Sequence, residues 1–253
     1  MALIEIREAT KAFYATQRKD VLQVALDKLT LSIEEGEFVS LLGPSGCGKT
    51  VTLNMIAGFD EPTTGEVLFK GEPVRKPGPE RGVVFQEYSL LPWLSVEKNI
   101  LYAMHGLGLS ADEARSRAEE ALRAVGLEGH GAKRPNLLSG GMKQRVAIAR
   151  LLAMDSDVFL MDEPFSALDE QIRQKLDESL FELWKRKRKT VVFVTHSIEE
   201  AVRVSSRIVL LSASPGRILE EWRIPDDMPR DPDSPEARAL RAEISALFPA
   251  PEL

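Results

Sequence analysis

The clearest chemical pattern in the sequence is a glycine-rich segment that ends in lysine and threonine. Residues 43–50 read GPSGCGKT and fit G-x-x-x-x-G-K-[ST], between the apolar run 38–42 and the helical run 51–57. In such a loop backbone N–H groups surround phosphates, Lys49 supplies positive charge to the β and γ groups, and the Thr50 hydroxyl ligates Mg²⁺. The predicted nucleotide-binding residues are Gly43, Pro44, Ser45, Gly46, Cys47, Gly48, Lys49, Thr50 and Val51.

Two adjacent carboxylates follow another apolar run. Residues 158–161 are VFLM, and Asp162 and Glu163 come directly after them. Because successive residues of a strand point to opposite sides, the two acids are expected to do different work. Asp162 is predicted to face the Mg²⁺ site opposite Thr50, and Glu163 to polarise the water that attacks a γ-phosphate. The alternative interpretation is a pair of solvated acids at a strand end. The complete phosphate loop upstream argues against it.

Two more polar residues end apolar runs. Gln86 follows GVVF and His196 follows VVFVT. The carboxyl ends of strands are where α/β proteins bind ligands. Taken alone, His196 is more often a hydrogen-bonded structural histidine, and Gln86 can ligate Mg²⁺, position water or do neither. Their shared location at strand ends favours function.

A second phosphate-binding pattern lies between these residues. Residues 138–145 read LSGGMKQR, with Ser139, Gly140 and Gly141 just before a helical pattern. Flexible backbone, exposed N–H groups and the positive end of a helix macrodipole attract an anion. The segment has no lysine equivalent to Lys49, which leaves open whose phosphate it holds.

The elements that must position these residues form an α/β pattern. Short apolar runs indicate strands buried on both faces of a sheet; they are residues 3–6, 29–33, 38–42, 67–69, 83–85, 158–161, 191–195 and 208–211. The earliest runs alternate more, and EEGE at residues 34–37 predicts an antiparallel hairpin beside the main sheet. A helical subdomain is predicted at about residues 90–155, inserted into a core domain of residues 1–220. A short C-terminal extension, residues 221–253, is predicted to carry a helix near 236–247.

Composition narrows the class of protein. The chain has 253 residues, net charge −6 and a pI of about 5.3, which disfavours bulk nucleic-acid binding. The basic run KRKRK at residues 185–189 is interpreted as a solvated helix end. Apolar runs are far shorter than the roughly 20 residues that span a bilayer, so any membrane role is expected to go through a partner.

Cys47 is the single cysteine of the chain. Because it lies near a helix N-terminus, its thiolate is expected to be favoured, and bound nucleotide is expected to slow its alkylation.

Together these motifs resemble the ATP-binding-cassette (ABC) ATPase family. The resemblance covers roughly residues 1–220 and rests on six ordered elements: GPSGCGKT, the glutamine of VVFQ, LSGGMKQR, VFLMDEP, SALD at residues 166–169 and TH at residues 195–196. It implies a phosphate-loop, RecA-like ABC ATPase core with an antiparallel β subdomain and an inserted helical subdomain. It also implies ATP and Mg²⁺ as cofactors. Met142, where many members have glutamine, is the one departure.

The resemblance also implies how the site is shared. Two copies, or this chain and a paralogue, would sit head to tail, with each ATP between one phosphate loop and the other chain's signature segment. Ser139, Gly140 and Gly141 would then hold the γ-phosphate of ATP bound to the second copy, which supplies the missing lysine.

Single roles carry over in the same way. Glu163 corresponds to the general base and His196 to the γ-phosphate switch. Gln86 corresponds to a sensor of Mg²⁺ and water that is linked to a membrane partner. An aromatic residue near the start of the family's chain stacks on adenine; Phe13 is the candidate, with Tyr14 next to it.

A narrower resemblance links the chain to ATPase subunits of nitrate, sulfonate and taurine importers. It rests on residues 77–100, on LSGGMKQRVAIAR and on SASPGRI at residues 212–218. It implies a peripheral protein on the cytoplasmic face of the inner membrane. A periplasmic solute-binding protein would be an indirect partner. Transmembrane permease subunits would contact residues 90–93, which are Leu90, Leu91, Pro92 and Trp93, although some of these four are equally expected to pack internally. The alternatives are a lipid-trafficking ABC ATPase and a soluble ABC ATPase that acts on nucleic acid.

Overall fold

The computed structural model describes residues 2–15, 18–166, 170–228 and 230–248. The SALD motif lies outside these ranges except for Ser166. Within them the chain forms ten strands and seven α-helices, as follows: β1 Ala2–Ala15, β2 Arg18–Glu34, β3 Phe38–Leu42, α1 Lys49–Ala57, β4 Thr64–Phe69, β5 Glu72–Pro73, β6 Arg81–Val84, α2 Val96–Ala103, α3 Ala111–Ala124, α4 Gly140–Met154, β7 Val158–Asp162, α5 Glu170–Lys187, β8 Thr190–Thr195, α6 Ile198–Val204, β9 Arg207–Leu211, β10 Ile218–Arg223 and α7 Pro235–Leu247.

The larger sheet is parallel apart from one edge strand. Its order is β10-β9-β3-β8-β7-β6, and only β10 runs antiparallel to its neighbour. Every residue of β3, β7, β8 and β9 is buried, as expected for strands covered on both faces. The predicted α/β class is confirmed. Because the strands are parallel, the segments that follow β3, β6, β7 and β8 all leave the same edge of the sheet.

The smaller sheet is antiparallel, with the order β2-β1-β4-β5. This confirms the predicted antiparallel subdomain, but the hairpin predicted at residues 34–37 is wrong. A turn there, closed by a hydrogen bond of 3.2 Å from Glu37 N to Glu34 O, carries the chain from one sheet to the other. The fully buried β3 pairs with β8 and β9, whereas β2 pairs along its length with β1.

The middle of the chain is helical. Helices α2, α3 and α4 pack on one another, and α4 also contacts β6. Ser110 begins α3 with a reciprocal cap: its hydroxyl accepts Glu113 N at 3.3 Å, and its own N–H donates to Glu113 Oε2 at 2.9 Å. The chain leaves α3 through Gly126, whose φ is 64°. The subdomain limits of about 90–155 stay a prediction.

The C-terminal region packs on the core instead of extending from it. Strand β10 completes the larger sheet, and α7, close to its predicted position, packs on α6. Trp222, Ile224 and Ile244 share one apolar cluster with residues of α6 and β9, and Trp222 Nε1 donates to Glu243 Oε1 at 2.8 Å. Among the described residues no helix has the length and apolar character to cross a bilayer.

Candidate active site

The phosphate loop connects β3 to α1 and uses glycine where no other residue fits. Gly46 and Gly48 have φ of 80° and 91°, in the left-handed region that favours glycine. A Cβ on Gly48 would also lie 2.5 Å from Leu26 Cδ2 and 3.0 Å from Ala25 O. The helix begins at Lys49, two residues before the predicted helical run. Its first N–H groups therefore open directly into the loop, as anion binding at a helix N-terminus requires.

Lys49 is folded into the loop that precedes it. Its side chain is buried, and Nζ donates to Gly43 O and Pro44 O, each at 2.8 Å. The ammonium group is therefore held among backbone atoms of the loop. A positive charge surrounded by left-handed glycines and helix N–H groups fits a polyphosphate.

Thr50 and Asp162 meet across the site. Thr50 Oγ1 donates to Asp162 Oδ1 at 3.1 Å, so the start of α1 is joined to the end of β7. Burial raises the pKa of Asp162, and the hydrogen bond from Thr50 opposes that rise. A hydroxyl and a carboxylate side by side are the hard oxygen ligands that Mg²⁺ prefers. The donor set therefore fits this cation.

The side chain of Glu163, which follows one strand of the larger sheet, contacts residues that follow two other strands. It follows β7, and its carboxylate lies 3.1 Å from Nδ1 of His196 after β8. Gln86, two residues beyond β6, donates from Nε2 to the other carboxylate oxygen at 3.4 Å. The structure thus brings together the three residues that were predicted to act on water and the γ-phosphate.

The backbone of Glu163 is unusual. Its φ is 43°, in the left-handed region that a glutamate rarely adopts. Its N–H donates to Val194 O at 3.0 Å, and its carbonyl accepts Ser166 Oγ at 3.0 Å. These bonds hold the turn that directs the carboxylate toward His196. Backbone strain of this kind is concentrated at functional sites.

Buried polar contacts behind His196 were not predicted. Thr195 Oγ1 donates to Glu200 Oε2 in a short hydrogen bond and accepts Ser197 N at 3.0 Å. Further from the site, Arg203 Nη1 donates to the fully buried Asp177 at 3.2 Å and joins α6 to α5. Burial raises the pKa of Glu200 and raises that of Asp177 to about 8. The spacing of acids in these helices carried no sequence signal, because tertiary packing alone buries them.

The second phosphate pattern lies at the start of α4. Ser139 caps α4 and is exposed; its Oγ accepts Met142 N at 3.3 Å, while Gly140 and Gly141 are partly exposed. Helix α4 packs on α2, α3 and β6, whereas the phosphate loop touches β2 and the end of β9. The two segments thus have different packing partners within the chain.

The segment after Gln86 touches the helix that Ser139 begins. A Cβ on Gly140 would lie 2.9 Å from the Tyr88 hydroxyl, and Arg150 Nη1 donates to Ser89 O at 2.6 Å. Burial lowers the pKa of Arg150. Sequence reasoning missed these contacts; an aromatic residue two positions after Gln86 was the only signal.

Residues 90–93 divide between interior and surface. Leu90 packs against the main apolar cluster and Leu91 is partly buried, whereas Pro92 is exposed and Trp93 is 67% exposed. An open groove of about 600 Å³ lies beside them, lined by residues that include Gln86, Tyr88, Leu90, Pro92, Pro135 and Lys143.

Phe13 and Tyr14 are exposed on β1, where Phe13 pairs with Gln23 of β2. Lys11 Nζ lies 5.0 Å from the centroid of the Phe13 ring. Strand β2 also carries Leu26, which contacts Gly48 of the phosphate loop. The candidate adenine platform and the phosphate loop are therefore connected through β2.

The expectation for Cys47 is corrected. Its side chain is completely buried, and burial raises the pKa of its thiol although Lys49 Nζ lies 3.7 Å from the sulfur. The thiolate is therefore disfavoured, contrary to the inference from the helix N-terminus. Slow alkylation is expected with or without nucleotide.

Comparisons with known proteins agree with this geometry. A family model described as ABC transporter matches residues 26–166. An uncharacterized ABC transporter ATP-binding protein of Methanocaldococcus jannaschii is 50% identical over 220 residues, which cover 87% of this chain and 82% of that protein. The nitrate import ATP-binding protein NrtD of Synechococcus elongatus is 44% identical over 227 residues, 87% of this chain and 83% of that protein. The aliphatic sulfonates import ATP-binding protein SsuB of Bacillus cereus is 40% identical over 247 residues, 97% and 95% of the two chains.

Solved structures are similar as well. A dimeric ATP-binding cassette in a post-hydrolysis state, bound to ADP and Pi, matches with a TM-score of 0.78 and 35% identity. The match covers 88% of this chain and 99% of that one. The motifs, the fold and these likenesses agree over most of the sequence. The chain therefore belongs to the ABC transporter family, as one of its ATP-hydrolysing, ATP-binding subunits.

Proposed function

We propose that this chain hydrolyses ATP to drive import of a small solute through separate transmembrane subunits. The observation that carries the catalytic part is the contact of one carboxylate, Glu163, with both Gln86 and His196 beside the phosphate loop. A carboxylate fixed by two neighbours at the carboxyl edge of a parallel sheet is suited to orient an attacking water.

Each residue of the site has a distinct task in this proposal. Lys49 and the loop N–H groups bind the β- and γ-phosphates, and Phe13 stacks on the adenine. Thr50, Asp162 and Gln86 would hold Mg²⁺, which neutralises phosphate charge when bound. Glu163 orients a water whose oxygen bonds to the γ-phosphorus while a proton passes to the carboxylate. The bond from the γ-phosphorus to the bridging oxygen breaks, and its electron pair stays on ADP. His196 keeps Glu163 in place and contacts the γ-phosphate.

The nucleotide site is completed by a second subunit in this proposal. Ser139, Gly140 and Gly141 of one copy, or of a paralogous subunit, would face the γ-phosphate held by Lys49 of the other. The exposure of the start of α4 supports this role, because a second chain can reach Ser139, which is exposed, and Gly140 and Gly141, which are partly exposed. A similar cassette forms a dimer in its post-hydrolysis state.

The solute is proposed to be a small anion such as nitrate, a sulfonate or taurine. The support is the identity of 44% to a nitrate import protein and 40% to an aliphatic sulfonates import protein. The groove beside Tyr88 and Leu90, with exposed Pro92 and Trp93 at its side, offers an apolar and aromatic surface for a permease segment. A subunit docked in this way would lie at the cytoplasmic face of the inner membrane, and a periplasmic solute-binding protein would act on the permease.

The charge pattern supports transport over nucleic-acid binding. Within the basic run at residues 185–189, the Arg188 guanidinium lies 4.8 Å from the Trp184 ring centroid and pairs with Asp226 at 2.5 Å. Lys189 pairs with Asp155 at 3.1 Å. Arg188 and Lys189 are thus engaged within the chain, and the net charge of −6 also disfavours binding to the phosphates of a nucleic acid.

Reconstitution tests the proposal. The chain, its permease subunits and its binding protein are placed in proteoliposomes, and ATP hydrolysis is followed with nitrate, an alkanesulfonate or taurine outside the vesicle. Stimulation by one of these anions together with its uptake supports the proposal. Stimulation only by lipid, or only by DNA or RNA added to the isolated chain, would overturn it in favour of the lipid-trafficking or the nucleic-acid alternative.

A further inference from the structure

The segment SASPGRI marks the narrower family resemblance, yet no step of ATP hydrolysis uses it. It begins where β9 ends, and the phosphate loop begins where β3 ends. Because β3 and β9 are parallel neighbours, the two segments leave the same edge side by side. A Cβ on Gly43, at the start of the phosphate loop, would lie 3.0 Å from Leu211 O, at the end of β9. We call residues 212–217 the supporting loop.

The two loops approach each other closely at Gly216. A Cβ at this position would lie 2.1 Å from Cys47 O and 2.9 Å from Leu26 Cδ2. The φ of Gly216 is outside the left-handed region, so its backbone would accept alanine. Glycine is required at this position only because there is no room for a Cβ atom. Real Cβ atoms essentially never lie closer than 3.0 Å to another heavy atom, so an alanine would have to displace the Cys47 carbonyl by about 0.9 Å.

The supporting loop is anchored to β2. Gly216 N donates to Ala25 O at 2.8 Å, and Asp27 N donates to Gly216 O at 3.1 Å. Between these two bonds lies Leu26, whose Cδ2 methyl group would lie 2.9 Å from a Cβ on Gly216 and 2.5 Å from a Cβ on Gly48. A single buried leucine thus separates the supporting loop from the start of α1.

The supporting loop is also closed on itself. Ser212 Oγ donates to Pro215 O at 2.7 Å and accepts Arg217 N at 2.9 Å. The guanidinium of Arg217 pairs with Asp27, which is the second connection to β2. These bonds fix the conformation of the supporting loop, which places Gly216 against the phosphate loop.

We propose that the supporting loop holds the phosphate loop in its phosphate-binding shape and that Gly216 is a positioning residue acting through the Cys47 carbonyl. This inference rests on the proposed role of the phosphate loop in binding ATP. A loop with glycines at positions 43, 46 and 48 has little stiffness of its own, so the directions of its N–H groups depend on what lies behind it. Misplacement of binding groups by about 1 Å can cost as much as 100-fold in function.

Titration of nucleotide into single variants tests the role of Gly216. Isothermal titration calorimetry of the purified chain uses MgATP and, separately, inorganic tripolyphosphate. Gly216→Ala is expected to weaken binding of both ligands about tenfold or more, and thermal unfolding of the ligand-free chain is expected to show a folded protein with the modest destabilisation that overpacking causes. Gly131→Ala is the matched control, since Gly131 also lacks a left-handed φ and its added Cβ would meet nothing closer than 3.4 Å. An ATP affinity of Gly216→Ala equal to that of Gly131→Ala overturns the inference.

Two further variants keep the test decisive. If Gly216→Ala does not fold, Ser212→Ala removes the two side-chain bonds that close the loop, keeps the backbone bond from Ser212 N to Arg217 O and adds no atoms. Weaker binding of ATP by Ser212→Ala with recovery in Ser212→Thr supports the inference, and equal affinities of the wild type and both Ser212 variants overturn it.

Lys49→Ala distinguishes the proposed phosphate site from the proposed role of the supporting loop. Loss of ATP binding in Lys49→Ala but not in Gly216→Ala overturns only the role of the supporting loop, whereas full binding by Lys49→Ala overturns the proposed phosphate site and this inference with it.

Discussion

Nδ1 of His196 lies 3.1 Å from Oε1 of Glu163, at the ends of the adjacent parallel strands β8 and β7. The second oxygen of the same carboxylate accepts Gln86 Nε2 at 3.4 Å, so the group is held from both sides. A general base needs this kind of placement more than it needs an exceptional pKa, because geometry decides whether it reaches the water.

Glu163→Gln keeps the size of the side chain and one accepting oxygen but cannot accept a proton. We expect ATP binding to persist and hydrolysis to fall about 100- to 10,000-fold, the usual contribution of general base catalysis. Single-turnover phosphate release and equilibrium ATP binding measure the two effects, and size-exclusion chromatography detects a trapped dimer. Glu72→Gln, at an exposed acid of β5, is the control. Hydrolysis at the control rate by Glu163→Gln would remove Glu163 from its proposed role.

Asp162→Asn is expected to affect the need for Mg²⁺ more than the binding of ATP. The substitution removes the carboxylate charge beside Thr50, whose hydroxyl lies 3.1 Å away, but leaves Lys49 and the loop in place. We expect the Mg²⁺ concentration for half-maximal hydrolysis to rise about tenfold or more. The rate is measured against Mg²⁺ at fixed ATP, with Asp157→Asn, at the exposed residue just before β7, as the control. An unchanged Mg²⁺ requirement would contradict this assignment.

The division of labour between Asp162 and Glu163 illustrates what sequence can predict. Alternation along a strand predicted that the two carboxylates point to different partners, and they do: Asp162 contacts Thr50 and Glu163 contacts His196. The physical reason differs, because β7 ends at Asp162 and Glu163 turns away with a φ of 43°. Local pattern located the residues, whereas a turn held by Val194 O and Ser166 sets the direction.

Features that depend on distant parts of the chain escaped prediction. The acid Asp177 and the glycine Gly216 carry no local signal, because their environments come from α6 and from the phosphate loop. Cys47 was placed near a helix N-terminus by pattern, but burial among Gly43, Lys49 and Leu211 outweighs that effect on its pKa. The linker at residues 34–37 has the composition of a hairpin turn, and only the pairing of β3 with β8 and β9 shows that it changes sheets.

Asp177 predicts a pH dependence of stability. Its pKa is raised from 3.8 to about 8, first by burial and then by the charge of Glu200, against the attraction of Arg203 and Arg173. The protonated form is therefore favoured in the folded chain. This contribution to stability is complete below about pH 4 and is lost as pH rises through about 8.

Asp177→Asn removes the titrating group and leaves its neighbours. The unfolding free energy of the wild type, taken relative to the variant, is expected to fall by an amount on the order of 2–4 kcal/mol between pH 5 and 9. Urea unfolding at several pH values measures this difference, in which the other carboxylates largely cancel. Parallel stability curves for the two proteins would rule out the raised pKa.

Trp93→Ala tests the proposed contact with the permease. The indole is 67% exposed, so its loss should change the unfolding free energy by no more than about 0.5 kcal/mol. In the reconstituted transporter, solute-stimulated hydrolysis is expected to fall at least about fivefold, since truncation of a buried aromatic anchor at an interface costs more than about 1 kcal/mol. Leu219→Ala, at an exposed leucine of β10, is the control. Equal stimulation in the two variants would place the permease contact elsewhere.

Mixing two inactive variants tests whether one nucleotide is shared by two chains. Lys49→Ala removes the phosphate lysine, and Ser139→Ala removes the exposed hydroxyl at the start of α4. In a head-to-tail dimer of one chain of each kind, one site loses both groups and the other keeps both. A two-fold dimer has two equivalent sites, so random pairing should restore up to about a quarter of the wild-type single-turnover rate. The separate variants set the baseline. A mixture that releases phosphate no faster than either variant alone would show that each chain completes its own site, because only a site shared across the interface can recover Lys49 from one chain and Ser139 from the other.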